Sequence, residues 1–208
     1  MTIAETNDRN IASPHEIRFI ECKLLGCYLV EFPRFYDHRG IFVKSYQRSV
    51  FEKRGLECSF KESFYTESGP NVLRGMHVQI PPADHAKLVY CVSGAIYDMA
   101  LDLRVGSPTY GEYEAYDLSA DQCNAAYLPR GMAHGFLVRS APALVVYHVT
   151  AEYSPAHDTG IHWDSFGATW PQRAPVVSLR DEALMPLKKF ASPFQFDPDT
   201  TFKENSIR

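Results

Sequence analysis

Short runs of alternating apolar and polar residues recur along most of the chain, and they restrict it to folds built from β-strands. Successive side chains of a half-buried strand point to opposite faces, which gives this period of two. Glycine and proline separate the runs, and helical spacing is confined to residues 49–54 and 180–185. Many short strands with so little helix predict an antiparallel sandwich or barrel. The strand runs are residues 27–32, 41–46, 60–66, 74–79, 110–118 and 125–128, and a pair at 136–138 and 144–150.

Residues 72–104 hold the densest group of candidate functional side chains. Arg74 and His77 lie in the first strand of this stretch, a loop with prolines follows, and Lys87 opens the next apolar run. Ser93-Gly94 interrupts that run and predicts a hairpin turn. An imidazole and an ammonium on neighbouring strands, separated only by a loop, predict a pocket.

Gln79 lies on the same strand as the imidazole. If the strand is regular, Arg74 faces one side of the sheet while His77 and Gln79 face the other. A buried imidazole needs a hydrogen-bond partner, and an acid from elsewhere in the chain would make it a base. His134 is a second candidate, because a glycine on each side of its segment allows a ligand to approach closely.

The sequence argues against a metal centre. Barrels of this class that hold a metal use a His-x-His pair, a carboxylate a few residues later and a further histidine. Gln79 takes the place of the second imidazole of the pair, and no glutamate follows at suitable spacing. His77, Gln79 and His134 would be a poor ligand set, so we expect no metal and no other cofactor.

Length, charge and cysteine usage set further limits. A chain of 208 residues can form one domain, for which we expect residues 16–190, with a flexible segment at 1–15 and a polar tail at 191–208. The net charge of −4 disfavours nucleic acid as a partner. No apolar run approaches the roughly 20 residues of a membrane span, and the polar start does not resemble a signal peptide. The five scattered cysteines predict reduced, mostly buried thiols in a cytoplasmic protein.

An ordered set of motifs extends from about residue 29 to residue 187. It comprises residues 72–79, 87–89, 98–104, 107–111 and 128–136, Tyr147, residues 153–155 and Trp170-Pro171. In order and spacing, this set resembles the dTDP-4-dehydrorhamnose 3,5-epimerase family. The resemblance implies a double-stranded β-helix, or jelly-roll (cupin-like) barrel, with short peripheral helices. It also implies a homodimer without a metal, and epimerisation of a nucleotide-linked 4-keto-6-deoxy sugar.

The resemblance further implies roles for the residues at matching positions. His77 stands where the family has its catalytic base, and Asp181 where it has the acid paired with that base. Tyr147 matches the tyrosine that donates a proton on the opposite face of the sugar, and Lys87 matches the lysine near the ketone oxygen. The substrate-binding positions are Arg74 and His134 at the sugar-phosphate region, Gln79 and Tyr153 in the pocket, and Arg39 and Phe42 in a segment that the partner subunit lends to the nucleotide.

The implied chemistry explains why these residue types occur together. A proton next to a ketone is weakly acidic, so its removal needs a base and a group that stabilises the developing enolate. His77 held by Asp181 would be the base, and Lys87 the fixed cation. Inversion requires the proton to return on the other face, and a phenol such as Tyr147 is a suitable donor.

Three positions depart from the family pattern toward its nucleoside end. Lys44 stands where the family commonly has a glutamate, and Glu62 and Phe64 stand within its Gln-x-Asn-x-Ser segment. These changes alter both charge and hydrogen-bonding capacity, so the bound nucleotide need not be dTDP. The open alternatives are a 3-epimerase, a 3,4-ketoisomerase of the same fold, a non-catalytic barrel that binds nucleotide sugars, and a metal-dependent cupin oxygenase.

Overall fold

The computed structural model describes residues 16–198 and consists of β-strands with a few short helices. The all-β class predicted from the alternating runs is confirmed. The predicted helix at 49–54 is shifted by one residue, and the one at 180–185 begins one residue earlier and is shorter. The helices are α1 (Arg48–Lys53) and α2 (Leu179–Glu182), with a 3-10 turn at Leu187–Lys189. The strands are β1 (Arg18–Glu21), β2 (Tyr28–Glu31), β3 (Arg34–Asp37), β4 (Gly40–Val43), β5 (Glu62–Ser68), β6 (Leu73–Gln79), β7 (Lys87–Asp102), β8 (Tyr113–Ser119), β9 (Asn124–Leu128), β10 (Met132–Val149) and β11 (Asp158–Gly160).

The two longest strands, β7 and β10, are antiparallel neighbours along almost their whole length. The first part of β7 also pairs with β9 and its last part with β8. The first part of β10 also pairs with β6 and its last part with β5. Both strands therefore pass through two layers, one completed by β6, β8 and β11 and the other by β1, β2, β5 and β9. This is the jelly-roll arrangement that the resemblance implied.

The prediction of a hairpin turn at Ser93-Gly94 is wrong. β7 continues through both residues, and register shifts in β10 opposite them let both strands bend. Gly94 has a φ of 73°, and a Cβ added there would collide with the carbonyl oxygens of Ser140 and Pro142. The glycine therefore permits a close approach at the bend and does not reverse the chain. The two segments predicted as a strand pair after residue 135 are likewise parts of the single strand β10.

β6 is irregular where the candidate residues lie. Arg74 pairs with Phe136 and His77 with His134, so three steps along β6 (74 to 77) match two along β10 (134 to 136). The extra residue is a β-bulge, which changes the side to which the neighbouring side chains point. Arg74 and His77 therefore line the same cavity, although regular alternation predicted opposite faces.

Three groups of buried apolar side chains in the described residues hold these elements together. The first joins β7, β8, β9 and β10 around Phe136. The second packs the segment after β11, including Trp170, against β6 and β7. The third holds α1 against β9 through Phe51 and Tyr127. As predicted, the thiols are free and mostly buried, with Cys27, Cys58, Cys91 and Cys123 inside and Cys22 partly exposed.

Residues 191–198, which the sequence placed in a polar tail, pack against the domain. Gln195 forms a β-bridge with Val105, and Phe194 is buried. The polar composition of the segment concealed this packing, because only two phenylalanines anchor it: Phe194 is buried, and the Phe196 ring lies 5.2 Å from the guanidinium of Arg104. In residues 16–198 no helix is long and apolar enough to cross a membrane. The expected flexible segment and the rest of the expected tail, residues 1–15 and 199–208, lie outside the described residues.

We expect Gly94→Ala to lower the free energy of unfolding by more than about 1 kcal/mol, because the added Cβ forces the strands apart and alanine disfavours a positive φ. Gly69→Ala is the matched control, since a Cβ at Gly69 meets nothing within 4 Å. That control should change stability by less than about 1 kcal/mol. Urea unfolding measures both values. Equal stability of the two variants would contradict the bend described above.

Candidate active site

A cavity of about 350 Å³ opens where β5, β6, β7 and β10 meet. Loop residues after β6 and after β10 complete its wall. It collects most of the residues that the sequence singled out, from positions far apart in the chain. Those in its lining are Glu62, Phe64, Arg74, His77, Gln79, Lys87, His134, Tyr147 and Tyr153.

His77 is held by a carboxylate from a distant part of the chain. Its Nε2 lies 2.7 Å from Oδ1 of Asp181, whose side chain is almost fully buried. The other carboxylate oxygen, Oδ2, accepts a hydrogen bond from the backbone N–H of Gly75 at 3.0 Å. Both oxygens of the acid are thus engaged, and Nδ1 is the ring nitrogen that remains for a ligand.

Local sequence signals explain how Asp181 is presented. α2 begins after Ser178, whose hydroxyl accepts a hydrogen bond from the Asp181 N–H at 3.1 Å. Burial acts to raise the pKa of Asp181, but the hydrogen bond and charge of His77 and the bond from Gly75 outweigh it, so the pKa is lowered. The carboxyl group is therefore ionised at neutral pH.

Lys87 is a buried cation at the start of β7. Its Nζ donates a hydrogen bond to the backbone carbonyl of His77 at 3.0 Å, which ties the ammonium to β6. Burial lowers the pKa of Lys87 from 10.5 to about 8, and the charges of Asp158 and Asp98 partly oppose this shift. An ammonium has three N–H groups, so two remain for an oxygen atom in the cavity.

The Tyr147 ring reaches the cavity from β10 and contacts two other rings. The Phe64 ring stacks on it, with centroids 4.7 Å apart and planes inclined by 14°. The His134 ring meets it edge-on, at 5.9 Å and 76°. Burial is the main cause of the raised pKa of Tyr147, and the charge of Asp98 adds to it while Thr66 opposes it. The phenol is therefore protonated at neutral pH and able to donate.

His134 is held by a second buried carboxylate. Its Nε2 lies 2.6 Å from Oδ2 of Asp98, and both side chains are almost inaccessible. His134 is also directly opposite His77 across β10 and β6, so the two imidazole–carboxylate pairs are neighbours. Sequence reasoning missed the role of Asp98, because only the pairing of β7 with β10 brings it near His134.

Gln79 was expected to contact the substrate, but its amide is engaged by two loops. Nε2 donates to the carbonyls of Ala83 at 2.8 Å and Glu152 at 3.2 Å, and Oε1 accepts from the Ser154 N–H at 2.6 Å. The buried side chain therefore holds together the loops on either side of the cavity.

His85, on the first of these loops, also lines the cavity. Burial is the main cause that lowers the pKa of His85 to about 3. Its imidazole is neutral at pH 7.

Charged groups at the rim form a chain that sequence reasoning also missed. Nη2 of Arg180 lies 2.7 Å from Oδ2 of Asp158, and the Tyr153 hydroxyl donates to the same oxygen at 3.2 Å. The backbone N–H of Tyr153 donates to Glu62 at 2.6 Å. Arg74 lines the same cavity, so two guanidinium groups and the buried ammonium provide positive charge suited to phosphate oxygens. The one available signal for Arg180 was its position beside the matched acid.

Three predicted residues do not line this cavity. Arg39 and Phe42 belong to the hairpin of β3 and β4, a separate two-stranded sheet, and Lys44 follows it. Arg39 pairs with Asp37, and Phe42 is exposed. The hairpin exposes further apolar side chains, namely Phe35, Tyr36 and Ile41.

A larger cleft, of about 1090 Å³, shares no lining residue with this cavity. Two of its three arginines pair with acids, Arg130 with Glu57 and Asp84 and Arg104 with Asp102, and the third, Arg54, lies over the rings of Phe19 and Tyr28. The catalytic residues inferred from the sequence are not in its lining, so the smaller cavity is the candidate active site. Within the part of the chain that the structure describes, no group of three or more histidine, cysteine, aspartate or glutamate side chains is arranged to hold a metal ion.

Comparison with known proteins agrees with the fold. The model of the dTDP-4-dehydrorhamnose 3,5-epimerase family matches residues 21–189. The chain belongs to this family. It is therefore an isomerase of the epimerase class, and the jelly-roll fold implied by the sequence motifs is confirmed.

Relatives of this family member include enzymes of two names. The dTDP-4-dehydrorhamnose 3,5-epimerase of Methanothermobacter thermautotrophicus is 36% identical over 179 residues, which are 84% of this chain and 96% of that protein. The dTDP-4-dehydrorhamnose 3-epimerase of Streptomyces niveus is 38% identical over 150 residues, or 70% of this chain and 72% of that protein. A solved dTDP-6-deoxy-D-glucose-3,5-epimerase from Legionella pneumophila, in complex with dTDP-4-keto-L-rhamnose, has a TM-score of 0.84 at 29% identity, covering 88% of this chain and 100% of that chain.

Proposed function

We propose that this family member acts on a nucleoside diphosphate-linked 4-keto-6-deoxyhexose and inverts C3, C5 or both. One observation carries the proposal: His77, held by Asp181, lines a cavity that Lys87 and Tyr147 also line. A base, a fixed cation and a neutral phenol are the groups that inversion next to a ketone requires. The names of the relatives, which specify dTDP-linked sugars, support the same substrate class.

His77 abstracts the proton. Asp181 accepts the N–H of Nε2, so the lone pair of the neutral imidazole is on Nδ1. When Nδ1 takes the proton from the carbon beside the ketone, the ring becomes positively charged and the carboxylate stabilises it. The electron pair of the broken C–H bond forms an enolate, whose negative charge lies mainly on the O4 oxygen.

Lys87 and Tyr147 complete the inversion. The ammonium directs its remaining N–H groups at O4 and stabilises the enolate. Tyr147 then donates its hydroxyl proton to the carbon from the face opposite His77. His77 loses a proton to solvent and Tyr147 gains one, so both groups return to their starting states.

The rim binds the other end of the substrate. Arg74 and Arg180 bind the diphosphate, because guanidinium groups match phosphate oxygens in both charge and geometry. His134 and Tyr153 contact the sugar-phosphate region between the diphosphate and the catalytic pair. Gln79 acts on these contacts indirectly, through the loops that it clamps.

The hairpin of β3 and β4 supports a homodimer. Its exposed aromatic side chains form an apolar surface that a second copy of the chain would bury. In such a dimer Arg39, Phe42 and Lys44 of each chain contact the nucleotide bound in the other chain's cavity. This arrangement accounts for their distance from the cavity of their own chain.

A 3-epimerase is the second candidate function, because the relative from Streptomyces niveus carries that name at 38% identity. The two activities share the inversion at C3 and differ in whether C5 is also inverted. Incubation of the 4-keto substrate in deuterated water distinguishes them by NMR. Deuterium at C3 alone identifies a 3-epimerase, and deuterium at C3 and C5 identifies a 3,5-epimerase.

We expect His77→Asn to slow exchange of the C3 hydrogen by at least about 100-fold, because the variant has no base at this position. The measurement is deuterium incorporation by NMR, with the fold checked by circular dichroism. His162→Asn is the matched control, since His162 is outside the cavity lining. Exchange by His77→Asn at the wild-type rate would remove His77 from the mechanism.

Tyr147→Phe should separate exchange from inversion. The change removes one hydroxyl and little volume, so the packing should survive. His77 can still remove the proton and return deuterium to the same face, so we expect C3 exchange without formation of the epimer. An unchanged epimer yield and rate would assign the donor role to water or another residue, with Tyr153 the next to substitute.

The catalytic rate should fall as pH rises through about 8. Lys87 is a cation below its lowered pKa of about 8 and neutral above it, and only the cation stabilises the enolate. Initial rates measured across the neutral and alkaline range give the pH at which the rate falls. Lys61→Met, which removes an exposed lysine, should leave the pH of this fall unchanged. An alkaline limit near the ordinary lysine pKa of 10.5 would contradict the assignment.

Glu62 selects the nucleotide base in this proposal. Its Oε2 accepts the Tyr153 N–H, and its Oε1 has no hydrogen-bond partner among residues 16–198. Guanine and cytosine carry an amino group that can donate a hydrogen bond to such an oxygen, whereas thymine and uracil lack one. We expect CDP or GDP to bind more tightly than dTDP or UDP in calorimetry at one salt concentration, and Glu62→Gln to narrow the difference. A clear preference for dTDP that Glu62→Gln leaves unaltered would contradict this selection.

A further inference from the structure

We propose that Phe64 is a positioning residue for proton donation: its ring holds the Tyr147 phenol in the orientation that inversion needs. The inference rests on the proposed function, in which Tyr147 returns the proton to the sugar. The sequence led us to expect Phe64 at the nucleotide base. Instead, one face of its ring stacks on the ring of the donor, Tyr147.

The contact between the two rings is built into the sheet. Phe64 on β5 is directly opposite Tyr147 on β10, and cross-strand pairs of this kind bring side chains into contact. The 4.7 Å separation and 14° inclination describe a parallel stack, one of the arrangements that aromatic pairs prefer. The Ser63 hydroxyl donates to the Tyr147 carbonyl at 3.0 Å, which fixes the two strands beside the stack. Phe64 therefore covers one face of the phenol at a set distance.

Phe64 also separates the phenol from solvent. It is 42% exposed, whereas Tyr147 is 8% exposed. His134, fixed by its bond to Asp98, contacts the same phenol edge-on. Without Phe64 one face of the phenol would be exposed to solvent, and the ring could rotate. Proton return needs the hydroxyl at one face of the sugar, whereas proton removal by His77 does not, so the two steps should respond differently.

Phe64→Leu tests the role, because it keeps an apolar side chain and removes the flat ring. We expect the rate of inversion at saturating substrate to fall about tenfold. Deuterium exchange at C3 should stay near the wild-type rate, so that the ratio of exchange to inversion rises. Phe64→Tyr keeps the ring and should restore the wild-type ratio. Tyr65→Leu is the matched control, since Tyr65 is the next residue on β5, points to the other side of the sheet and should leave the ratio unchanged.

The alternatives predict different results. If Phe64→Leu only damaged the structure of the site, the rates of exchange and inversion would fall together. An unchanged ratio of exchange to inversion in Phe64→Leu would therefore overturn the proposal. Weaker binding of CDP, GDP, dTDP and UDP with an unchanged ratio would identify Phe64 as a base-stacking residue and also overturn it. Phe64→Met fills similar space without a ring and provides the same test if Phe64→Leu does not fold.

Tyr147→Phe distinguishes failure of this inference from failure of the proposed function. If Tyr147→Phe leaves inversion intact, the assignment of the donor is wrong and the inference falls with it. If Tyr147→Phe loses inversion while Phe64→Leu keeps the wild-type ratio, only the role of Phe64 is rejected.

Discussion

The antiparallel pairing of β7 with β10 determines where the functional groups of this chain lie. Because both strands bend near Gly94, each passes from one layer of the jelly roll to the other. The pairing places Lys87, at the start of β7, beside the end of β10 that carries Tyr147. β6 and β5 then attach to opposite ends of β10 and add His77 and Phe64. Four groups from four strands meet without depending on a loop, and strands hold such groups more accurately than loops do.

Burial in this sandwich shifts the pKa values of Lys87 and Tyr147 in opposite directions. Loss of water disfavours the charged form, which lowers the pKa of Lys87 and raises that of Tyr147. Asp181 escapes the same penalty because His77 and the Gly75 N–H hydrogen-bond to its two oxygens. The site therefore holds an ionised carboxylate, a cation that can lose its charge in mild alkali and a neutral phenol, all within one cavity.

The sequence predicted the class of fold and much of the cavity, and its failures have identifiable causes. The period of two found most strands, but Ser93-Gly94 has the composition of a turn while its glycine serves a bend in a continuous strand. Regular alternation placed Arg74 on the wrong face, because a bulge is visible only once the partner strand is known. The Asp98–His134 contact arises from the pairing of β7 with β10, which no local pattern encodes. Phe194 was missed since a single pair of phenylalanines, Phe194 and Phe196, in a polar segment is too short to establish a period.

A buried phenol donates its proton only when it is well aligned, and an aromatic neighbour supplies that alignment. The raised pKa of Tyr147 keeps it protonated across the range in which Lys87 is charged, but it also makes the phenol a weaker acid. A weaker acid depends more on alignment with the carbon that it protonates. A carboxylate at position 64 could align the hydroxyl only by accepting its hydrogen bond, and it would then compete with the substrate for the proton. The Phe64 ring restrains the phenol through its face and leaves the hydroxyl proton available to the sugar.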